Sequence, residues 1–141
     1  MIYSVEKRNY FSTESTQLGF QCSKKLFTKL LGVAPYKREL VESEMVMTSF
    51  FILGDIKFEL LAATHPDSTI AKFIDKKGEG IHHLAFESEN IEEELLEKKE
   101  NQFQLIHEIP KQGADNKKIA FLHPKSTNGV LTELCQEITN P

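Results

Sequence analysis

The feature that most constrains this chain is a repeat. Phe58-Glu59-Leu60-Leu61 is echoed 74 positions later by Thr132-Glu133-Leu134-Cys135. Glu-Leu pairs are common, so the weight lies in what precedes each copy. Both are led by a strand-like run, a helical run and further strand-like runs, so each half reads strand, helix, three strands. In both copies the glutamate alternates with apolar residues on a strand. The expected fold class is therefore α+β: two paired βαβββ modules forming a curled sheet around a central cleft, with Glu59 and Glu133 on the concave faces. At 141 residues the chain fits one such domain. Its first module covers about 1–64, a connecting helix about 66–78 and the second module about 80–137.

In chain order, residues 8–20 are polar, with at best a weak alternating pattern. From Ser23 the signal sharpens: Leu26, Phe27, Leu30 and Leu31 recur at helical spacing, and Gly32 is placed to end the helix. Tyr36–Val41 and Met45–Leu53 read as strands, and Gly54-Asp55 turns the second into Ile56–Leu61. There Ile56, Phe58 and Leu60 are expected on the core face, with Lys57 and Glu59 opposite. Ser68 can cap a short helix carrying Ile70, Phe73 and Ile74, which Gly78 ends. Asn90-Ile91-Glu92-Glu93 starts another helix, with Ile91, Leu95 and Leu96 inward, running to about Asn101. Phe103–Ile106 reads as a strand and residues 110–117 as a polar loop. Lys118–His123 and Val130–Cys135 form a hairpin across residues 124–129.

Gly80-Ile81-His82-His83-Leu84-Ala85-Phe86-Glu87 follows a glycine-bracketed turn. Neighbouring strand residues face opposite ways, so the two histidines cannot share one job. The face of His82, Leu84 and Phe86 is the more apolar and is expected on the core. His83 then looks into the concave space with Ala85 and Glu87.

The composition, 40% hydrophobic and 27% charged, is that of a soluble globular protein, and no apolar run reaches membrane-spanning length. The opening residues lack the apolar core of a secretory signal. Cys22 and Cys135 make no metal or redox spacing and read as free thiols in a reducing cytoplasm. A formal net charge of −4 argues against general nucleic-acid binding but leaves room for a lysine cluster that meets a small polyanion.

Three stretches carry a family resemblance: residues 67–73 (DSTIAKF), residues 78–85 (GEGIHHLA) and residues 121–134 (FLHPKSTNGVLTEL). With the order of elements, they make the chain, from about Lys25 to Glu137, resemble the vicinal oxygen chelate (glyoxalase-like) superfamily. Within it, they resemble the methylmalonyl-CoA epimerases. The resemblance implies a divalent metal (Co, Mn, Ni or Zn) held by His83, Glu59 and Glu133. It makes Glu133 the leading catalytic acid/base, acting at the carbon between a carboxylate and a thioester. A metal at the substrate oxygens stabilises the charge that develops when that carbon loses its proton.

By the same resemblance His123 and the nearby lysines, Lys118 and Lys125 above all, are candidates for the acyl-CoA site, and methylmalonyl-CoA is the expected partner of a cytoplasmic homodimer. Turn formation is an equal reading for His123, and an ordinary charged loop the bland one for the lysines. For the second acid/base, Glu42 and Glu44 read better as a solvated strand end. Thr48 stands where some relatives carry a glutamate.

One departure is marked. The family's fourth ligand is a histidine in the first strand, and no histidine occurs between Met1 and Gln21. Stepping back 74 residues from His83 reaches Asn9, and counting back from Leu31-Gly32-Val33 reaches Ser12. A divergent homologue, a pseudo-enzyme, or a block altered by a reading error would each account for it. Loss confined to one block accords best with the last. The expectation is a family-type site with reduced or absent activity. The alternatives are a non-catalytic acyl-CoA or small-ligand binding module of the same fold, and a glyoxalase-type lyase or dioxygenase.

Overall fold

The computed structural model describes residues 4–5 and 13–139, with side chains from residue 21 onward. The chain divides into two compact units whose boundary falls between His82 and His83. The connecting helix thus goes with the first unit.

The first unit runs β1 (Ser4–Val5), α1 (Thr13–Leu31), β2 (Lys37–Val41), β3 (Val46–Leu53), β4 (Ile56–Ala63) and α2 (Thr69–Lys77). Its sheet has the order β1-β4-β3-β2, with β1 parallel to β4 and the other neighbours antiparallel. Gly54-Asp55 makes the expected tight turn, and Gly54 takes the left-handed φ of +58° that the hairpin needs. Helix α1 lays Phe27 and Leu31 against Phe51, Phe58 and Leu60. Gly32 ends it at φ +71°, its amide donating to the Thr28 carbonyl. Leu26 and Leu30 point to solvent.

On the other face of the same sheet, Val46 and Leu61 pack with Ile70 and Ile74 of α2. The Ser68 hydroxyl caps α2 by accepting from the Ala71 amide at 3.0 Å, and Gly78 closes it at φ +81°. With both faces covered, β4 buries Phe58, Glu59, Leu60 and Leu61 in succession. The simple alternation read from sequence holds for Phe58 and Leu60 but fails for Ile56, which is exposed at the strand's start.

The second unit repeats the plan: β5 (Leu84–Glu87), α3 (Ile91–Glu100), β6 (Lys111–Gln112), β7 (Lys117–Leu122) and β8 (Thr132–Glu137). The order is β5-β8-β7-β6, again with the first strand parallel to the last. Asn90 caps α3 by accepting from the Glu93 amide. Ile91 and Leu95 enter a core with Ala120, Leu122 and Leu134. Leu96, expected inward, is exposed. Residues 103–106 form no strand: they meet β7 through an isolated Leu105–Leu122 bridge and the Ile106 amide on the Phe121 carbonyl, and the short edge strand is Lys111–Gln112. In the hairpin, β8 begins at Thr132, two residues later than expected, after a 3₁₀ turn at Pro124–Ser126.

Two expectations are corrected. Thr13–Phe20 is helical, not weakly extended, and belongs to a 19-residue α1, against ten residues in α3. This inequality defeats the 74-residue step. Glu59 pairs with Ser4 and Glu133 with Ala85, separations of 55 and 48 residues. Asn9 lies outside the described residues. The second correction is at β5. Ala85 and His83 are the buried residues, whereas Phe86 is 47% exposed. Among the described strands β5 pairs with β8 alone, and the Phe86 side chain is left partly uncovered.

Candidate active site

Strand β8 places the buried Glu133 between buried Ala85 of β5 and half-buried Phe121 of β7. Residues opposite one another in a sheet share a face, so Ala85, Glu133 and Phe121 line one row. His83 stands just before β5, where the Leu84 amide is fixed to the Leu131 carbonyl at 3.0 Å. Its Nε2 lies 3.6 Å from a Glu133 carboxylate oxygen, and both side chains are under a tenth exposed. That spacing is too long for a hydrogen bond. It suits two donors around one cation, whose bonds to nitrogen and oxygen of about 2.0–2.2 Å allow a separation of up to about 4 Å. Imidazole with carboxylate is also a donor pair that borderline divalent ions accept.

Among the described residues, no three or more His, Cys, Asp or Glu side chains gather into a metal cluster. Glu59, in the first unit, is buried on the face of β3 and β4 that also carries Thr48, Phe50 and Leu61. In its row, Lys37 of β2 pairs with Phe50, and Phe50 with Glu59. The ammonium groups of Lys37 and Lys57 lie 5.5 and 5.8 Å from the Phe50 ring centre. Glu42 and Glu44 form a 3₁₀ turn between β2 and β3, Glu42 being exposed.

His82 faces Phe73 of α2 edge-on at 4.9 Å. Burial, with a smaller effect from Lys77, lowers its pKa to about 4, so this imidazole is neutral at pH 7. His123 accepts the Lys125 amide at 3.1 Å through Nδ1, the turn-forming role. Lys125 itself is exposed. Lys118 lies on the α3 side of β7, alternate to Phe121, and bonds Glu92 at 2.9 Å. That contact lowers the Glu92 pKa. The structure thus brings His83 and Glu133 together and leaves Lys118 on the opposite face from them.

Sequence reasoning missed Phe121. Its ring stands 5.4 Å from that of His83 at 89°, and 5.7 Å from that of His107. The available signal was parity: Phe121 sits opposite Glu133 across the hairpin. His107 accepts the Phe121 amide through Nδ1 at 3.2 Å.

The geometry is joined by likeness to known proteins. A model of the Glyoxalase/Bleomycin resistance protein/Dioxygenase superfamily matches residues 20–121. Uncharacterized protein YqjC of Bacillus subtilis is 41% identical over 114 residues, covering 81% of each chain. The mitochondrial methylmalonyl-CoA epimerase of Dictyostelium discoideum is 33% identical over 132 residues, 92% of this chain and 78% of that one. A Streptomyces coelicolor methylmalonyl-CoA epimerase, solved with 2-nitronate-propionyl-CoA, shares the fold at a TM-score of 0.84. At 23% identity, that match covers 99% of this chain and 96% of the other. The chain belongs to the glyoxalase/bleomycin resistance/dioxygenase superfamily and, within it, to the family of the methylmalonyl-CoA epimerases.

Proposed function

We propose that this chain interconverts (R)- and (S)-methylmalonyl-CoA by moving the proton of the α-carbon, and that it does so with reduced activity. The observation that carries this reading is the buried His83–Glu133 pair, set on the sheet of a chain that has relatives named for this reaction. Glu133 is the base: its carboxylate is sheltered, lies beside an imidazole, and is fixed from both sides by β5 and β7. A divalent ion held by His83 and Glu133, with Glu59 as a further ligand, would supply a Lewis acid for the substrate oxygens. The reduced rate follows from the opening segment, where Met1–Gln21 offers no histidine. His123 and Lys125, at the hairpin end, are the residues proposed to meet the acyl-CoA. Lys118 would have to leave Glu92 to join them.

The reading extends to a cytoplasmic homodimer acting between propionyl-CoA and succinyl-CoA. Neither Cys22 nor Cys135 is in a disulfide, which supports the compartment. No described helix is long and apolar enough to cross a membrane.

The test is deuterium exchange from solvent at the α-carbon of methylmalonyl-CoA, run with and without chelator. Exchange that chelator abolishes is the expected result. Binding of methylmalonyl-CoA without exchange would replace the epimerase with a non-catalytic binding module.

A further inference from the structure

The α-proton transfer proposed above makes no use of Phe121 or His107, yet Phe121 packs on His83 and His107 on Phe121. The outer ring torsion of a histidine is broad, so its own rotamer preference does not fix the plane of the imidazole. A neighbour must do so if Nε2 is to keep facing Glu133. The Phe121 ring meets the His83 ring nearly perpendicular, at 89° and 5.4 Å, within the range of edge-to-face pairs.

Phe121 is in turn held on both sides of its strand. Toward β8 it pairs with Glu133. Away from β8 its amide donates to His107 Nδ1 at 3.2 Å, and its carbonyl accepts from the amides of Ile106 at 2.8 Å and His107 at 3.3 Å. A histidine that accepts through Nδ1 is in the neutral tautomer with its proton on Nε2. The ring of the same histidine lies 5.7 Å from that of Phe121 on a tilted plane. His83, Phe121 and His107 thus form a line of three rings ending at the carboxylate partner of the first.

We propose that Phe121 and His107 are positioning residues. The Phe121 ring sets the plane of the His83 imidazole so that Nε2 stays aimed at Glu133, and His107 anchors Phe121 by accepting its amide proton. This rests on reading His83 and Glu133 as the site.

Imidazole ¹H–¹⁵N spectra of the metal-free protein test the arrangement without activity or metal. Phe121→Leu removes the ring but keeps an apolar side chain. It is expected to shift and broaden the His83 ring signals toward a mixture of tautomers and orientations. His107→Asn, whose amide oxygen can accept the same proton, is expected to retain the wild-type signals, and His107→Leu to lose them. In a parallel Co²⁺ titration, Phe121→Leu should bind about 10-fold more weakly, the size of effect seen when support for a ligand is removed. His83 signals that superpose in wild type and Phe121→Leu overturn the proposal. If that variant does not fold, the two His107 variants decide: signals alike in both overturn it. Wild-type protein that takes up no Co²⁺ overturns the metal reading instead and leaves the spectral comparison standing.

Discussion

The Nε2 of His83 and a carboxylate oxygen of Glu133 face one another at 3.6 Å, at the start of one strand and on the parallel strand beside it. Little of either side chain reaches solvent.

Glu133→Gln keeps the shape and removes the proton acceptor. Exchange of the α-proton with solvent deuterium should fall by about 10²–10⁴-fold, the usual contribution of a positioned base. The thermal unfolding midpoint should change little, since a neutral amide is easier to bury than a carboxylate. Unchanged exchange would remove Glu133 from the reaction.

His83→Ala takes away one of two donors that already face one another. Mn²⁺ or Co²⁺ affinity, followed by calorimetry, should drop by at least about 10-fold. Glu59→Gln keeps an oxygen donor and loses the charge, so it should weaken binding by a smaller factor. Full retention of affinity in Glu59→Gln would exclude Glu59 as a ligand.

His82 makes stability depend on pH. Its pKa is about 4 in the folded chain against 6.5 when unfolded, so the unfolded chain binds more protons between those values. The contribution is fully present above pH 6.5 and is lost as pH falls toward 4. A shift of this size corresponds to about 3 kcal/mol at most. Urea unfolding at pH 7.5 and pH 4.5 should therefore show a smaller loss of stability in His82→Gln than in wild type. Equal losses would mean that His82 does not titrate as its burial dictates.

Lys118 and Lys125 separate two uses of a lysine. Lys118 bonds Glu92 at the surface, a contact worth about 0.2–1 kcal/mol at best. Lys118→Ala should leave the KM for methylmalonyl-CoA unchanged. Lys125→Ala, at an exposed position beside His123, should raise it with kcat unaltered. An increase confined to Lys118→Ala would reverse the assignment.

Turns and caps were the most legible parts of the sequence. Gly54, Ser68, Gly78 and Asn90 do what their residue types suggest, because caps and positive-φ turns depend on local chemistry. The repeat was also legible, and with it both buried glutamates. What failed depended on partners distant in sequence. Phe86 is the bulkier residue, yet Ala85 lies against Glu133 and is covered. Polar Thr13–Phe20 carries no apolar stripe to reveal a helix that continues into Phe27 and Leu31. Phe121 could be placed opposite Glu133 by strand parity, but its contact with His83 needed the fold.

The core under α3 is closed by Ile91, Leu95, Ala120, Leu122 and Leu134, all from the second half. His83 and Glu133 belong to the same half, so the footing of that couple is drawn from residues 83–137. A change confined to the opening block would leave the foundation under it in place.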